Sequence, residues 1–424
     1  MTMRLFARFA LAGALFVSAA SVMAQHDMGG GSTSGGATGG GTDSSRGVRR
    51  TPRRTTPIRR TTPPVRRGIT AEQYNAQGDQ FFDAEKYDEA LEAYQKAVSL
   101  KPIAAAYYHI GWIENENEQY TDAIAALRQA LAIRANFAEA QKEMGYSYFK
   151  LNQSQEAIAA YQQAIRFKPD YGSAYLGLGD VYYYQTKQYR EAVNAYSRGV
   201  QYKDDNPTAF YNLAWSANEL SQYDQAATAA RRAVALKADY PEAYAELGFA
   251  SRKLNQPNEA ITAYREAVRL KPGYGSAYTG LGDAYYDLKR YNEAVAAYER
   301  SVSISPNNAR VRYNLGWIYN DQQRYGEAVT QLGEATRLKP EYFEAHTELG
   351  FALLKLHRLL AATESLRTAI RLRNDHATAH LYLGFVFIEA KNKPGVVNEY
   401  RILRQLDATK AQQLYDAAPA NMRN

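Results

Sequence analysis

The chain has 424 residues, no cysteine and a formal net charge of +7, and 46% of its residues are hydrophobic. The lack of cysteine excludes a disulfide framework, a thiolate metal site and a lipid-bearing cysteine behind a leader segment. Charge is divided unevenly: residues 1–24 carry +2, residues 25–70 carry +7 and the remainder carries −2. A basic surface for nucleic acid is therefore not expected on the folded part.

The first predicted element is a signal peptide, residues 1–24. Two arginines precede an apolar run of 12 residues (9–20), and Ala24 is the small residue needed before cleavage. The run is well below the roughly 20 apolar residues of a membrane span. Cleavage after Ala24 is therefore favoured over an uncleaved anchor. We expect an exported protein, periplasmic or secreted, whose mature chain begins at Gln25.

Residues 25–70 are of low complexity, Gly/Ser-rich first and then Arg/Pro-rich. Neither half can bury enough apolar surface to fold, so a disordered linker is expected. Two interpretations remain open: a solvated spacer, or a polyanion-binding arm for anionic lipid headgroups, acidic polysaccharide or nucleic acid. The arginines of this arm are Arg49, Arg50, Arg53, Arg54, Arg59, Arg60, Arg66 and Arg67.

From residue 71 onward, one sequence pattern recurs about every 34 residues. Apolar residues at offsets of three and four predict two amphipathic helices joined by a polar turn. One such hairpin cannot bury its apolar face alone, so neighbouring hairpins must stack. The small residues that mark the first helix of each repeat are Gly78, Gly111, Gly145, Gly179, Ala214, Gly248, Gly282, Gly316, Gly350 and Gly384.

This pattern resembles the tetratricopeptide-repeat (TPR) family, whose unit is a 34-residue helix–turn–helix. The resemblance covers Ala71 to about Ala408, with one residue inserted near Gln185. It implies an all-α fold, a right-handed superhelical solenoid of about ten hairpins behind the signal peptide and linker. A C-terminal capping helix and tail are expected at 409–424. The repeats are expected near 71–103, 104–137, 138–171, 172–206, 207–240, 241–274, 275–308, 309–342, 343–376 and 377–408.

The repeats rotate through three types, which together form a block that recurs every 102 or 103 residues. The first type carries Asp after its small residue, the next carries Tyr, Trp and Asn, and the third carries a pair of Glu. We call residues 71–171, 172–274 and 275–376 the first, second and third blocks. The three tryptophans of the protein, Trp112, Trp215 and Trp317, occupy equivalent places in them.

No residues in the sequence form a recognisable catalytic arrangement. His376 and His380 have the spacing of two metal ligands on one helix, but no third ligand is evident. The paired glycines lie within helices and follow no strand, so they are not phosphate-binding loops. We therefore expect a non-enzymatic protein without catalytic residues, metal site, cofactor or small-molecule substrate.

The resemblance implies that the first helices line a concave peptide-binding groove. Trp is costly to expose and carries one donor, and Asn can bind the backbone of an extended peptide. One acid per block favours a basic ligand. The alternative is that each Trp packs against the neighbouring repeat. The candidate groove residues are Tyr108, His109, Trp112, Asn115, Glu116, Tyr211, Asn212, Trp215, Asn218, Glu219, Tyr313, Asn314, Trp317, Asn320 and Asp321.

Two functions compete at this point. One is a protein-interaction scaffold that binds an extended peptide or protein segment in the groove. The other is a tether to a polyanion or envelope surface, with the arginine arm as the active part and the repeats as spacer. A further hypothesis is that the arm occupies the acid-rich groove until a partner displaces it. Against this, solvated acids attract little beyond roughly 8 Å at physiological salt.

Overall fold

A computed structural model describes residues 68–423, and all regular secondary structure in this part of the chain is helical, which confirms the predicted all-α class. Most helices pair into hairpins, with 13 residues in the first helix and 14 in the second. The 21 α-helices of the described residues are α1 Ala71–Asp83, α2 Tyr87–Leu100, α3 Ala104–Glu116, α4 Tyr120–Ile133, α5 Ala138–Lys150, α6 Ser154–Phe167, α7 Gly172–Asp180, α8 Tyr189–Tyr202, α9 Pro207–Glu219, α10 Tyr223–Leu236, α11 Pro241–Lys253, α12 Pro257–Leu270, α13 Gly275–Asp287, α14 Tyr291–Ile304, α15 Ala309–Asp321, α16 Tyr325–Leu338, α17 Phe343–Lys355, α18 Leu359–Leu372, α19 Ala377–Glu389, α20 Lys393–Leu406 and α21 Ala408–Ala417.

The described residues form two compact units, each with its own core. The first unit, residues 68–151, contains α1–α5 and is centred on buried Tyr94, Ile113 and Leu127. The second unit, residues 152–423, contains α6–α21. Its largest apolar clusters run from Leu176 in α7 to Ala352 in α17, so stacked hairpins share a continuous core.

Close packing inside each hairpin explains the recurring small residue. In α13, a Cβ added to Gly282 would lie 2.5 Å from the ring of Tyr298 on α14. Tyr298 itself is fully buried. The glycine is therefore required because a large side chain of the second helix lies directly against the backbone of the first.

Every hairpin turns at one residue with left-handed backbone geometry. At Lys289, φ is 57°, and the N–H groups of Lys289 and Arg290 donate to the carbonyl oxygens of Tyr286 and Tyr285. Such a turn satisfies carbonyl groups at the end of the first helix. None of the ten turn residues is glycine, namely Glu85, Glu118, Asn152, Lys187, Ser221, Asn255, Lys289, Gln323, His357 and Lys391.

The inserted residue near Gln185 changes the helix that contains it. Helix α7 ends at Asp180, and residues 181–186 continue it as one turn of π-helix. A π turn accommodates one extra residue without breaking the helix. The insertion therefore stays inside the first helix of this hairpin, where it adds Tyr184 to the surface.

The C-terminal end of the second unit is covered by α21. Asp407 caps this helix by accepting hydrogen bonds from the N–H groups of Thr409 and Lys410. Leu414 packs against Gly384, where the other repeats place a residue of their own second helix, and Met422 is buried beyond it. Among the described helices, none is both long and apolar enough to span a membrane.

Candidate ligand-binding surface on the first helices

The three tryptophans pack in the same way on α3, α9 and α15. Trp215 lies edge-on to Tyr183 and Tyr189 of the preceding hairpin, with ring centroids 5.1 and 5.0 Å away. Trp317 makes the same contacts with Tyr286 and Tyr291, at 5.6 and 5.8 Å. Each indole therefore contributes packing between neighbouring hairpins.

In the first unit, Trp112 contacts Phe82 and Tyr87 at 4.9 and 5.4 Å, which repeats the cluster. All three tryptophans remain partly exposed. The packing does not bury the whole side chain, so part of each tryptophan stays accessible to solvent. We call each Trp with its two aromatic neighbours an aromatic cluster.

A second row of aromatic pairs lies next to the clusters. Tyr211 and Tyr313 pack against Tyr240 and Tyr342, with centroids 5.2 and 5.0 Å apart. A lysine ammonium covers the second ring of each pair, Lys237 on Tyr240 at 5.1 Å and Lys339 on Tyr342 at 5.0 Å. The corresponding pair of the first unit is Tyr108 with Phe137, where Arg134 is the cation. These tyrosines are therefore partly fixed by the chain itself.

The asparagines at the C-terminal ends of α3, α9 and α15 do not point freely into a groove. Asn320 is 6% exposed, and its Nδ2 donates to the backbone oxygen and to Oε2 of Glu348, at 3.0 and 2.9 Å. Asn115 and Asn218 donate in the same way to Glu143 and Glu246. Their amide N–H groups are used because the next hairpin presents two acceptors to them. The sequence pattern did not reveal this pairing.

The carboxamide oxygens of these asparagines differ between blocks. Asn115 Oδ1 accepts the hydroxyl of Ser147 at 2.6 Å. Alanines stand in the place of Ser147 in the other blocks, at Ala250 and Ala352. There, Oδ1 of Asn218 and of Asn320 is buried without a hydrogen-bond donor. Such an unpaired buried acceptor costs stability.

A carboxylate–tyrosine pair recurs in all three blocks and was missed by sequence reasoning. The hydroxyls of Tyr196 and Tyr298 donate to Asp180 and Asp283 at 2.6 and 2.7 Å. Tyr94 donates to Asp79 in the first block at 2.8 Å. The sequence did contain an indication of this pair, because an Asp follows the small residue of one repeat in each block, as expected of a residue with a fixed partner.

The candidate residues His109, Asn212 and Asn314 occupy equivalent places beside these pairs. Asn212 and Asn314 donate to the hydroxyls of Tyr196 and Tyr298, at 3.1 and 3.2 Å. His109 instead stacks on Tyr94, with ring centroids 5.1 Å apart, and burial lowers its pKa. Asn212 is fully buried, so its contribution to a ligand site would require an opening of this network.

Three candidate acids close the helices that carry the tryptophans. Glu116 and Asp321 are exposed, and Glu219 is partly buried. They lie one residue after Asn115, Asn320 and Asn218. A carboxylate at each of these places can pair with a cationic group.

The structure does not bring His376 and His380 together as ligands. His380 is buried, and its Nδ1 and Nε2 lie 2.6 Å from Glu399 Oε2 and 3.0 Å from the carbonyl oxygen of Asn374. Both ring nitrogens therefore face acceptors within the chain. Burial is the largest single effect and lowers the pKa of His380, but the hydrogen bonds to Glu399 and Asn374 and the charge of Glu399 together raise it above its ordinary value. The described residues contain no cluster of His, Cys, Asp and Glu suited to a metal. The candidate arginine arm lies outside the described residues.

Family models match most of the helical repeats. A model described as TPR repeat matches residues 145–185, 183–215, 250–289, 282–320 and 316–356. Two models described as tetratricopeptide repeat match residues 75–138 and 208–241. Together they cover more than half of the chain. The molecule is thus an all-helical repeat protein, and the chain belongs to the tetratricopeptide-repeat family.

A curated relative and two solved structures are similar to parts of the chain. Small glutamine-rich tetratricopeptide repeat-containing protein 2 of Mycosarcoma maydis is 32% identical over 87 residues, 20% of this chain and 25% of that protein. The chain thus spans about a quarter of that relative. The crystal structure of YrrB, titled a TPR protein with an unusual peptide-binding site, has a TM-score of 0.42 and 22% identity, covering 44% of this chain and 95% of that one. Pseudomonas aeruginosa PilF has a TM-score of 0.40 and 18% identity, covering 49% and 94%.

Membership of this family assigns a general role to the repeats. Stacked TPR hairpins are generally non-catalytic scaffolds for protein–protein interaction, presented on an extended surface. The repeats of this chain are accordingly of the type that generally forms protein-interaction scaffolds.

Proposed function

We propose that the protein is an exported, non-catalytic scaffold whose first helices bind an extended peptide or protein segment. The observation that carries the proposal is the repetition of the aromatic cluster. Each cluster leaves one indole partly exposed and places an acid one turn further along the same helix, at Glu116, Glu219 or Asp321. Rigid aromatic side chains of this kind are common energetic centres of protein interfaces.

The chain provides its own reporter for this proposal, because its only three tryptophans are those of the clusters. Replacing two of them by Phe leaves a single fluorophore in a chosen block. A partner isolated by affinity chromatography on the full chain, and then purified, is titrated into each single-tryptophan protein. We expect the emission of the remaining indole to change on binding, since the ligand covers its exposed face.

Substitution of the tryptophans tests whether they bind or only pack. We expect Trp215→Ala or Trp317→Ala to weaken binding of the purified partner by roughly tenfold or more, as at interface hot spots. The control is Tyr202→Ala, which removes an exposed aromatic side chain from the second helix α8 and not from a first helix. The melting temperature of every variant is measured under the binding conditions. If the loss of binding is fully explained by a smaller folded fraction of the variant, the tryptophans are packing residues and not binding residues.

The location outside the cytoplasm is part of the same proposal. It is supported by the apolar run of residues 9–20 and by the small residue at Ala24. We expect the N-terminal residue of the protein recovered from a periplasmic or secreted fraction to be Gln25. Recovery of the intact segment 1–24 on that protein would contradict cleavage.

A tether that acts through the arginine arm is the second candidate, favoured by nine arginines without an acid in residues 46–67. Deletion of residues 25–70 separates the two. A scaffold keeps its partner after the deletion, whereas a tether loses binding to vesicles that contain anionic lipid. An arm that competes for the groove gives a third result, tighter partner binding with a weaker dependence on salt.

A further inference from the structure

The three glutamates that accept the buried asparagines differ in their charge partner. In the first block, the ammonium of Lys142 forms an ion pair with Oε1 of Glu143, which is 5% exposed. In the third block, the residue in the place of Lys142 is Thr347, and its hydroxyl donates to the carbonyl oxygen of Phe343 at 2.9 Å. Within residues 68–423, Glu348 receives the side chain of Asn320 and forms no ion pair.

A carboxylate in this position is electrostatically incomplete. Burial raises the pKa of Glu348, and only the hydrogen bond from Asn320 acts in the opposite direction. Glu348 is partly exposed, and a carboxylate partly removed from water without a cation carries a free-energy penalty that a bound cation relieves. The first block relieves the same penalty with Lys142. The third block contains no corresponding cation of its own.

Glu348 accepts a hydrogen bond from Asn320, which lies about one turn after Trp317 on α15, so its carboxylate lies beside the third aromatic cluster. Burial is the main cause that raises the pKa of Tyr286, Tyr313 and Tyr382, and the charge of Glu348 adds to it. The pKa of Tyr382 reaches about 12. These tyrosines lie on α13, α15 and α19, and Glu348 lies on α17. Tyr286 also packs against Trp317. The carboxylate therefore sits within the surface that carries the third aromatic cluster.

The combination of a carboxylate with aromatic rings selects a particular ligand chemistry. An ammonium or guanidinium group can pair with the carboxylate and contact ring faces at the same time. An anionic side chain would be repelled, and an apolar one would leave the carboxylate unpaired. Arginine suits this setting because its planar group stacks on aromatic rings while it donates hydrogen bonds.

We propose that Glu348 forms a cation subsite, in which a lysine or arginine side chain of the bound peptide takes the place that Lys142 takes in the first block. The inference rests on the proposed function, because it names the chemistry of the peptide that the first helices bind. It also predicts that the peptide carries a basic residue where it lies next to the third aromatic cluster.

The test uses a defined peptide instead of an unidentified partner. The probe has the sequence of residues 59–67, RRTTPPVRR, and its analogue carries citrulline, an uncharged isostere, in place of each arginine. The protein is the full chain with its arm arginines replaced by glutamine, so that the arm does not compete, and with Trp112→Phe and Trp215→Phe. Emission of Trp317 then reports binding at the third block.

We expect the arginine peptide to bind at least about tenfold more tightly than the citrulline peptide, with an affinity that falls as salt rises. Glu348→Gln should remove most of this difference and lower the salt dependence, while the citrulline peptide is unaffected. The matched control is Glu364→Gln on the second helix α18, which makes the same change of charge at an exposed position. It should change the affinity less than twofold.

Folding of the variant is checked independently. Because burial disfavours the charged form of Glu348, the Gln variant should melt at an equal or higher temperature than the parent at pH 7. Equal effects of Glu348→Gln and Glu364→Gln would overturn the subsite, as would failure of the arginine peptide to bind. The proposed function is decided separately, by the effect of the tryptophan variants on the purified partner.

Discussion

Two places in the second unit build the same arrangement of side chains with different electrostatics. In the second block, Tyr196 donates to Asp180 and Asn212 donates to Tyr196. In the third block, Tyr298 donates to Asp283 and Asn314 donates to Tyr298, at nearly the same distances. The comparison separates what the repeat geometry imposes from what individual residues add.

The difference lies in the cations around the carboxylate. Asp283 is bound by Arg252 at 3.2 Å and by Arg310 at 2.9 Å. The residues at the equivalent sequence positions one block earlier are Phe149 and Thr208, and the described residues give Asp180 no ion pair. Burial raises the pKa of Asp180 to about 6, although hydrogen bonds from Tyr196 and Asn212 favour its charged form. The hydrogen-bond geometry is therefore repeated while the charges around the carboxylate are not.

Removing both arginines should make the surroundings of Asp283 resemble those of Asp180. This change should have the largest effect on stability of those predicted here. We expect Arg252→Gln with Arg310→Gln to lower the free energy of unfolding by about 3 kcal/mol, the low end for a broken buried pair, because Arg310 is half-exposed. Urea denaturation at pH 7 measures it. Adding Asp283→Asn should recover much of the loss, since it removes the unpaired charge. A loss that persists in full would mean that the arginines stabilise the fold through their stems and not through their charge.

The pH dependence of stability should reveal Asp180. Its folded pKa of about 6 lies above the ordinary value of 3.8. The folded state therefore holds a proton in this interval that the unfolded state has lost, so stability falls as pH rises from about 4 through about 6. We expect Asp180→Asn to remove a fall of roughly 2 kcal/mol between these limits, from the difference between the two pKa values. Parallel curves of the free energy of unfolding against pH for parent and variant would contradict this.

The unpaired Oδ1 of Asn320 allows a test with a smaller expected effect on stability. A hydroxyl donor can be added in the third block and removed from the first. Ser147 supplies the missing donor in the first block, so Ala352→Ser should stabilise the third block by about 1 kcal/mol. The reciprocal Ser147→Ala should destabilise by a similar amount, about 1 kcal/mol. Thermal melting of both variants provides the measurement. Destabilisation by Ala352→Ser would show that the serine hydroxyl does not fit beside Asn320.

The sequence determined the repeats, their helices and the block structure, because small residues and apolar spacing follow directly from helix geometry. The position of Gly282, for example, required a close contact whatever the neighbouring repeat contained. The contacts between hairpins were not predictable in the same way. The bond from Asn320 to Glu348 joins residues 28 positions apart in different hairpins, and its existence depends on the spacing between successive first helices.

The same reasoning applies to charge. The acids after the tryptophans were expected to line the groove and favour a basic ligand; Glu116 and Asp321 are exposed, and Glu219 is partly buried. The asparagines one residue earlier were expected to reach a ligand and are instead buried. Adjacent positions on a helix point about 100° apart, so one faces the next hairpin while its neighbour faces solvent. A sequence pattern shows which residues recur, but it does not by itself show whether a given side chain faces the next hairpin or the solvent.

The smallest predicted effect concerns the turn between the helices of each hairpin. Lys187 in the second block and Lys289 in the third both have φ of 57°, although a π turn precedes Lys187 alone. Glycine removes the steric cost of this conformation but adds freedom to the unfolded chain, so the net gain should be about 0.5 kcal/mol. Asn255→Gly is the matched control, since Asn tolerates left-handed geometry and should gain little.

Equal gains for Lys187→Gly and Lys289→Gly, measured by thermal melting, would mean that the π turn absorbs the inserted residue without straining the turn that follows. A larger gain at Lys187 would place stored strain at the end of the π turn. The inserted residue also brings the hydroxyl of Tyr184 to 3.4 Å from Asn212 Oδ1, a contact with the buried network beside Asp180. Strain at Lys187 would then be a cost of the conformation that places Tyr184 in this position. The two blocks would differ in their backbone as well as in their charges.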